Sequence, residues 1–265
     1  MWIDLLGVRI YYEQLGDQGP NVLFLHGWMC SVALWKPIVE RLSPHMRTIA
    51  LDLPGHGQSG RPPEPWGATE YAAFVAAFIE ALNLAPCDIV GHSHGGRTAL
   101  RLALDRPDLV NHLVLTGSAG LRSESTPAQK RRHQTFRALR SSCNVLDKLR
   151  VFGPLPERGR EALRKRFGSS DYNALDAEMR KTFVRVVNTN LGPELPKISK
   201  PTLLLWGDHD TETPLWMGKQ MERDIPDAGL VLLEGGSHYA YLEQPDRFCR
   251  IVQQFLLPGG APCPS

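Results

Sequence analysis

Ser93 stands at the centre of Gly91-His92-Ser93-His94-Gly95, directly after the run Asp88-Ile89-Val90 and before the helix-like stretch Gly96-Arg97-Thr98-Ala99-Leu100. G-x-S-x-G between a strand and a helix forms a tight turn. It holds the serine in a strained backbone conformation with its hydroxyl clear of the sheet, and the flanking glycines remove Cβ atoms that would collide there. The chemistry of such a residue is nucleophilic attack on a carbonyl. The same pattern also occurs in ordinary Gly/Ser-rich turns, so Ser93 needs partners: a base for its proton, and an acid to orient that base. His238, on the glycine-loosened loop Glu234-Gly235-Gly236-Ser237-His238, is the natural base. Asp208 and Asp210, in Gly207-Asp208-His209-Asp210, are the carboxylates on offer.

The elements that must carry these residues are legible as apolar runs bounded by turn signals. Pro201 to Trp206 reads as a buried strand ending at the two aspartates, and Val231 to Leu233 as a second buried strand leading to His238, with a helix from about Pro245 to Leu256 behind it. Val8 to Tyr12 alternates like a half-buried strand, and Val22 to Leu25, Thr48 to Leu51 and His112 to Thr116 are further strand candidates. In an open α/β sheet, the loops at the strand ends gather around the site.

Taken in order, these pieces resemble the α/β-hydrolase superfamily. The likeness rests on the Ser93 turn, His26-Gly27-Trp28 after the third strand, Asp52-Leu53-Pro54-Gly55-His56-Gly57-Gln58-Ser59 after the fourth, Gly207-Asp208-His209-Asp210, and Gly236-Ser237-His238 with Leu242-Glu243-Gln244-Pro245. The resemblance implies an α/β-hydrolase fold: a mostly parallel, eight-stranded-type sheet flanked by helices, with an inserted helical cap. It places the acid role on Asp210, with Asp208 as its neighbouring competitor. The position used by some relatives after the sixth strand has no carboxylate before Glu124. It assigns the oxyanion donors to the backbone amides of Trp28 and His94, and it puts the side chains of Trp28 and Met29 beside the acyl pocket, where packing is the competing role for Trp28. His94 departs from the residues usual after the nucleophile. Its ring could meet substrate or a cap residue, although a helix-start side chain with only its backbone in use is the plainer reading. His26, His56 and His92 read as structural.

The reaction implied is carboxylic ester hydrolysis through an acyl-enzyme on Ser93. The alternatives, in order, are C-C bond hydrolysis of vinylogous diketones, cofactor-free perhydrolase or haloperoxidase chemistry, and a receptor-like binding role, since this fold also hosts binding proteins. The bulky turn Trp28-Met29-Cys30-Ser31 differs from the small-residue turn usual in C-C hydrolases. Aspartate-nucleophile chemistry does not fit a serine at position 93. No cofactor and no metal is expected: His209 between two aspartates is the one cluster that invites a metal, and the triad already employs Asp210.

Composition sets outer bounds. The 265 residues, 42% apolar, suffice for one large α/β domain and an insertion. The expected organisation is a core of residues 1–119 and 201–257, a helical cap at 120–200, and a flexible tail at 258–265. No charged and apolar leader pattern opens the chain, the uncharged stretch from Gly19 to Trp35 is broken by Pro20, Asn21 and His26, and the five cysteines lack paired spacing. A cytoplasmic enzyme with free thiols, no transmembrane segment and no nucleic-acid partner is the expectation. Oligomeric state is not written in the sequence.

Residues 120–200 carry 18 Lys+Arg against 8 Asp+Glu, an excess of +10 that leaves −8 on the rest of the chain. Pro127 to about Arg140, Pro156 to about Phe167 and Ala174 to Leu191 are its helix candidates, the last with Met179, Phe183, Val186 and Val187 at helical spacing. The basic blocks Lys130-Arg131-Arg132 and Arg164-Lys165-Arg166 suit a solvated face, a funnel for anionic small-molecule esters, or attachment to an acidic partner or membrane surface.

Overall fold

Period-two burial organises the strands of the larger structural unit. Along β3 (Asn21–Leu25), Leu23 and Leu25 enter one apolar cluster while Val22 and Phe24 enter another. β5 (Cys87–His92), β6 (Val110–Thr116) and β7 (Thr202–Gly207) repeat the division: Ile89, Leu113, Leu115, Leu204 and Trp206 face one way, and Val90, Val114, Leu203 and Leu205 the other. Strands buried on both faces read as continuous apolar runs, which is what made them visible in the sequence. The first cluster is closed by α2 (Ala68–Ala81), α3 (His94–Asp105) and the helix Leu215–Asp224, and the second by α1 (Lys36–Leu42) and the helix Pro245–Leu256.

This computed structural model describes residues 1–122 and 170–257, with isolated positions between 131 and 161. Its eight strands, completed by β1 (Trp2–Leu5), β2 (Val8–Leu15), β4 (Arg47–Leu51) and β8 (Ala228–Leu233), lie in the order β1-β2-β4-β3-β5-β6-β7-β8. β2 is antiparallel to both neighbours, and every other pairing is parallel. The order reverses direction between β3 and β5, the switch point where an open α/β sheet leaves a crevice at its carboxyl edge. Register aligns the ends that matter: Leu25 pairs with Gly91, His92 with Thr116, and Gly207 with Leu233. β8 differs from its expected burial. It is an edge strand paired only with β7, and all but Leu233 of its residues retain some exposure.

The chain divides into two compact units, residues 1–121 with 184–265, and residues 122–183. The larger unit thus reaches back before position 201, because Val186, Leu191, Leu195 and Ile198 are buried in its first cluster. The helix expected at Ala174 to Leu191 spans Ala177–Asn188, with Asp176 accepting from the amides of Glu178 and Met179 at its start. Met179, Thr182 and Val186 are its buried positions, and Val187 is exposed, so the buried stripe runs through a threonine that hydrophobicity alone does not mark. The helix candidates at Pro127 and Pro156, nearly all of the two basic blocks, and the tail 258–265 lie outside the described residues. Among the described residues no helix is long and apolar enough to cross a membrane.

Candidate active site

From Cys87 through Leu100 every residue is buried except Ser93, which is partly exposed. β5 delivers the chain to the sheet edge, and α3 begins at once with His94. Between them Ser93 adopts a φ of 52°, a left-handed conformation costly for a residue with a Cβ. Sterics enforce the turn. A Cβ on Gly91 would lie 2.7 Å from the Gly96 Cα, and one on Gly95 would overlap the Leu25 carbonyl oxygen. Ser93 caps α3 without using its side chain. Among the described residues its hydroxyl makes no hydrogen bond, so the link from Ser93 to His238 is not formed in this structure. The two are tied indirectly: His92 Nε2 donates to the His238 carbonyl at 3.0 Å.

The loop after β3 is set by a second histidine. His26 Nε2 accepts from the Leu53 amide at 3.0 Å, so its proton is on Nδ1 and is donated to the Gly27 carbonyl at 2.7 Å. In a trans peptide the Trp28 N–H points opposite to that carbonyl, and fixing one therefore aims the other. A Cβ on Gly27 would sit 3.4 Å from the Ser93 Cβ, which places this peptide against the Ser93 turn. The His94 amide, first in α3, is one of the helix-start N–H groups with no intrahelical acceptor. Burial pushes His26 down to about 4, and burial with the charge of His26 pushes His56 down to about 3, so both rings are neutral near pH 7. Trp28 stands edge-on to His56 and His94, at 4.7 and 5.2 Å between ring centroids. Met29 is exposed and holds a φ of 57°.

The other half hangs from β7 and β8. His238 Nδ1 donates to Asp210 Oδ2 at 2.8 Å, whereas Asp208 is exposed and accepts from the Gly235 amide at 2.7 Å. Of the two aspartates, Asp210 is the one brought to His238. His209 between them is exposed. Asp210 Oδ1 also accepts from the amides of Glu212 and Thr213, each at 2.9 Å. Burial alone would raise this carboxyl; the hydrogen bond and charge of His238 and the Thr213 donors outweigh burial and hold it below the ordinary carboxylate range.

Thr213 is the member that sequence reasoning missed. Its Oγ1 lies 2.8 Å from Asp210 Oδ2, 2.9 Å from the Gly117 carbonyl and 3.2 Å from His238 Nδ1. Its carbonyl accepts from the indole N–H of the fully buried Trp206 at 2.7 Å. Gly218 makes room for that indole, since a Cβ there would lie 2.9 Å from the ring. The available signal was Asp210-x-x-Thr213, a spacing at which a carboxylate and a hydroxyl close a turn on each other.

The fold and this constellation define a class. A family model described as alpha/beta hydrolase fold matches residues 20–245, and the chain belongs to the α/β-hydrolase family. It is 30% identical over 260 residues to a pimeloyl-[acyl-carrier protein] methyl ester esterase of Nitrosomonas europaea, covering 90% of this chain and 96% of that protein. It is 27% identical over 263 residues to a 2-(acetamidomethylene)succinate hydrolase of Mesorhizobium japonicum, covering 96% and 94%. Among solved structures, a meta-cleavage product hydrolase from Pseudomonas fluorescens IP01 matches with a TM-score of 0.70 at 24% identity over 95% of both chains, a likeness of fold.

Proposed function

We propose that this hydrolase cleaves a carboxylic ester of a small-molecule substrate through an acyl-enzyme on Ser93. The observation that carries the reading is the Asp210–His238 pair, held at 2.8 Å at the strand edge where Ser93 alone emerges from a buried stretch. With Nδ1 committed to Asp210, His238 Nε2 takes the Ser93 proton as Oγ attacks the ester carbonyl. The amides of Trp28 and His94 receive the resulting oxyanion. Collapse breaks the C–O bond, and the proton on His238 passes to the leaving alcohol. Water, deprotonated by the same nitrogen, then attacks the acyl-enzyme and frees the acid and Ser93. The esterase among the sequence relatives supports the bond type.

A p-nitrophenyl ester series assayed with wild type and Ser93→Ala tests this directly, with a fluorophosphonate label located by mass spectrometry. Serine-dependent turnover with the adduct on Ser93, and a loss of about 10⁴-fold or more in Ser93→Ala, is the expected result. Ester silence with cleavage of a vinylogous diketone would replace the ester by a C–C bond.

A further inference from the structure

Arg97 is the one buried Arg or Lys among the described residues, 6% exposed, and its guanidinium has no hydrogen bond, ion pair or aromatic face there. The described buried carboxylates are engaged elsewhere: Asp52 with the amides of Val32 and Gln58, Asp88 with His112, and Asp210 with His238. A buried charge without a counter-ion is costly, and buried charges are ordinarily paired. Burial pushes Arg97 down to about 10, which leaves it charged at neutral pH.

Its position ties it to the site. The Arg97 amide donates to the Ser93 carbonyl at 3.1 Å, so it stands one helical turn beyond the nucleophile. Long helical side chains run back toward the N-terminus over the residues three and four before them, here His94 and Ser93. The His94 ring feels the Arg97 charge, is 2% exposed, and has no partner for either nitrogen. Trp28 and Tyr71 pack on that same ring at 5.2 and 4.7 Å, so the neighbourhood is aromatic.

We propose that Arg97 is the specificity residue of this site, its guanidinium pairing with a carboxylate carried by the acyl part of the ester substrate. The inference rests on the ester reading for the bond cleaved, and on Arg97 alone for the charge. A carboxylate fits the planar fork of a guanidinium with two parallel hydrogen bonds and neutralises its single charge. A phosphate dianion would leave a net charge buried in aromatic surroundings.

The test compares mono-p-nitrophenyl adipate with its neutral isostere, p-nitrophenyl 6-methylheptanoate, in wild type, Arg97→Met and Arg97→Lys. Wild type should prefer the adipate about tenfold or more in kcat/KM, and the preference should persist at 0.5 M salt, where attraction from surface charge is screened. Arg97→Met should lower the adipate-to-isostere ratio at least tenfold. Arg97→Lys, which keeps the charge without the fork, should lower it less, and it decides the matter if the methionine variant does not fold. A second measurement needs no turnover: adipate, but not adipamide or phosphate, should raise the melting temperature of Ser93→Ala, and Arg97→Met should abolish the rise. Adipate stabilisation without ester turnover would overturn the ester reading and keep Arg97 as the anion site. Ester turnover with an unchanged ratio and no adipate shift would do the reverse. A shift with phosphate alone would overturn the choice of carboxylate.

Discussion

The two halves of the site are held by different physics. Around β3, β5 and α3 the restraint is steric: glycines admit backbone where any Cβ would overlap, and the imidazoles of His26, His56 and His92 are sealed in and neutral. Around β7 and β8 sterics also act, since a Cβ on Gly207 would overlap the Gly236 carbonyl oxygen, but a charge is added to them. Four donors converge on Asp210, and loop residues Asp208 and His209 remain in solvent. The steric half has little freedom to move without unfolding, whereas the charged half is set by hydrogen bonds that single substitutions remove.

The largest loss of turnover is expected at Asp210. Asp210→Asn should reduce kcat/KM by about 10⁴-fold, since in the proposed mechanism it removes the charge that orients and stabilises His238. The melting temperature should move by only a few degrees. Asp208→Asn, which alters an exposed loop, should change kcat/KM less than threefold, and the opposite ranking would sink the assignment. In the steric half the outcome inverts. Gly95→Ala should cost about 3 kcal/mol or more of stability, because the new methyl meets the Leu25 carbonyl oxygen and neither backbone can yield. A denaturant midpoint within error of wild type would show that the turn is more pliable than its contacts indicate.

Acid should separate the halves by titration. His26 and His56 hold their folded values at about 4 and about 3, below the ordinary histidine value near 6.5. The unfolded chain therefore binds more protons between those limits, so the stability these rings confer is complete above about pH 6.5 and falls as pH drops toward 4. Asp210, held below the ordinary carboxylate range, retains its contribution until lower pH. Urea midpoints should decline from pH 7 to pH 5. A flat profile would mean that the rings reach solvent. A smaller loss than at Asp210 is expected at Thr213. Thr213→Val should lower kcat about tenfold and shift the acidic limb of the kcat/KM profile, with Thr213→Ser restoring both; a stability loss with an unmoved pH profile would leave Thr213 a packing role only.

The steric half was the more legible in sequence, for a physical reason. Glycine at 91 and 95 and an apolar run before Ser93 are local patterns, and local sterics dictate them. The helix Pro245–Leu256 was legible at both ends for a similar reason, its proline start and its apolar spacing. Long-range hydrogen bonds leave no such trace. The spacing Asp210-x-x-Thr213 signals a turn, but not that the Thr213 hydroxyl also meets His238, 25 residues away. The edge position of β8 depends on strand order, which periodicity does not encode. Arg97 was unremarked because an arginine in a helix reads as surface until burial is measured.

The Trp206 indole ties the interior to the loop after β7. Its ring belongs to the apolar interior and its N–H holds the carbonyl of Thr213, so one side chain answers both to packing and to the acid's placement. If Asp210 acts as proposed, an exchange at position 206 that is neutral for the interior would still change turnover, because it removes the anchor of the Thr213 carbonyl. Selection on rate would therefore be felt within the core, and lineages in which that indole is replaced should also carry a new anchor for the loop after β7.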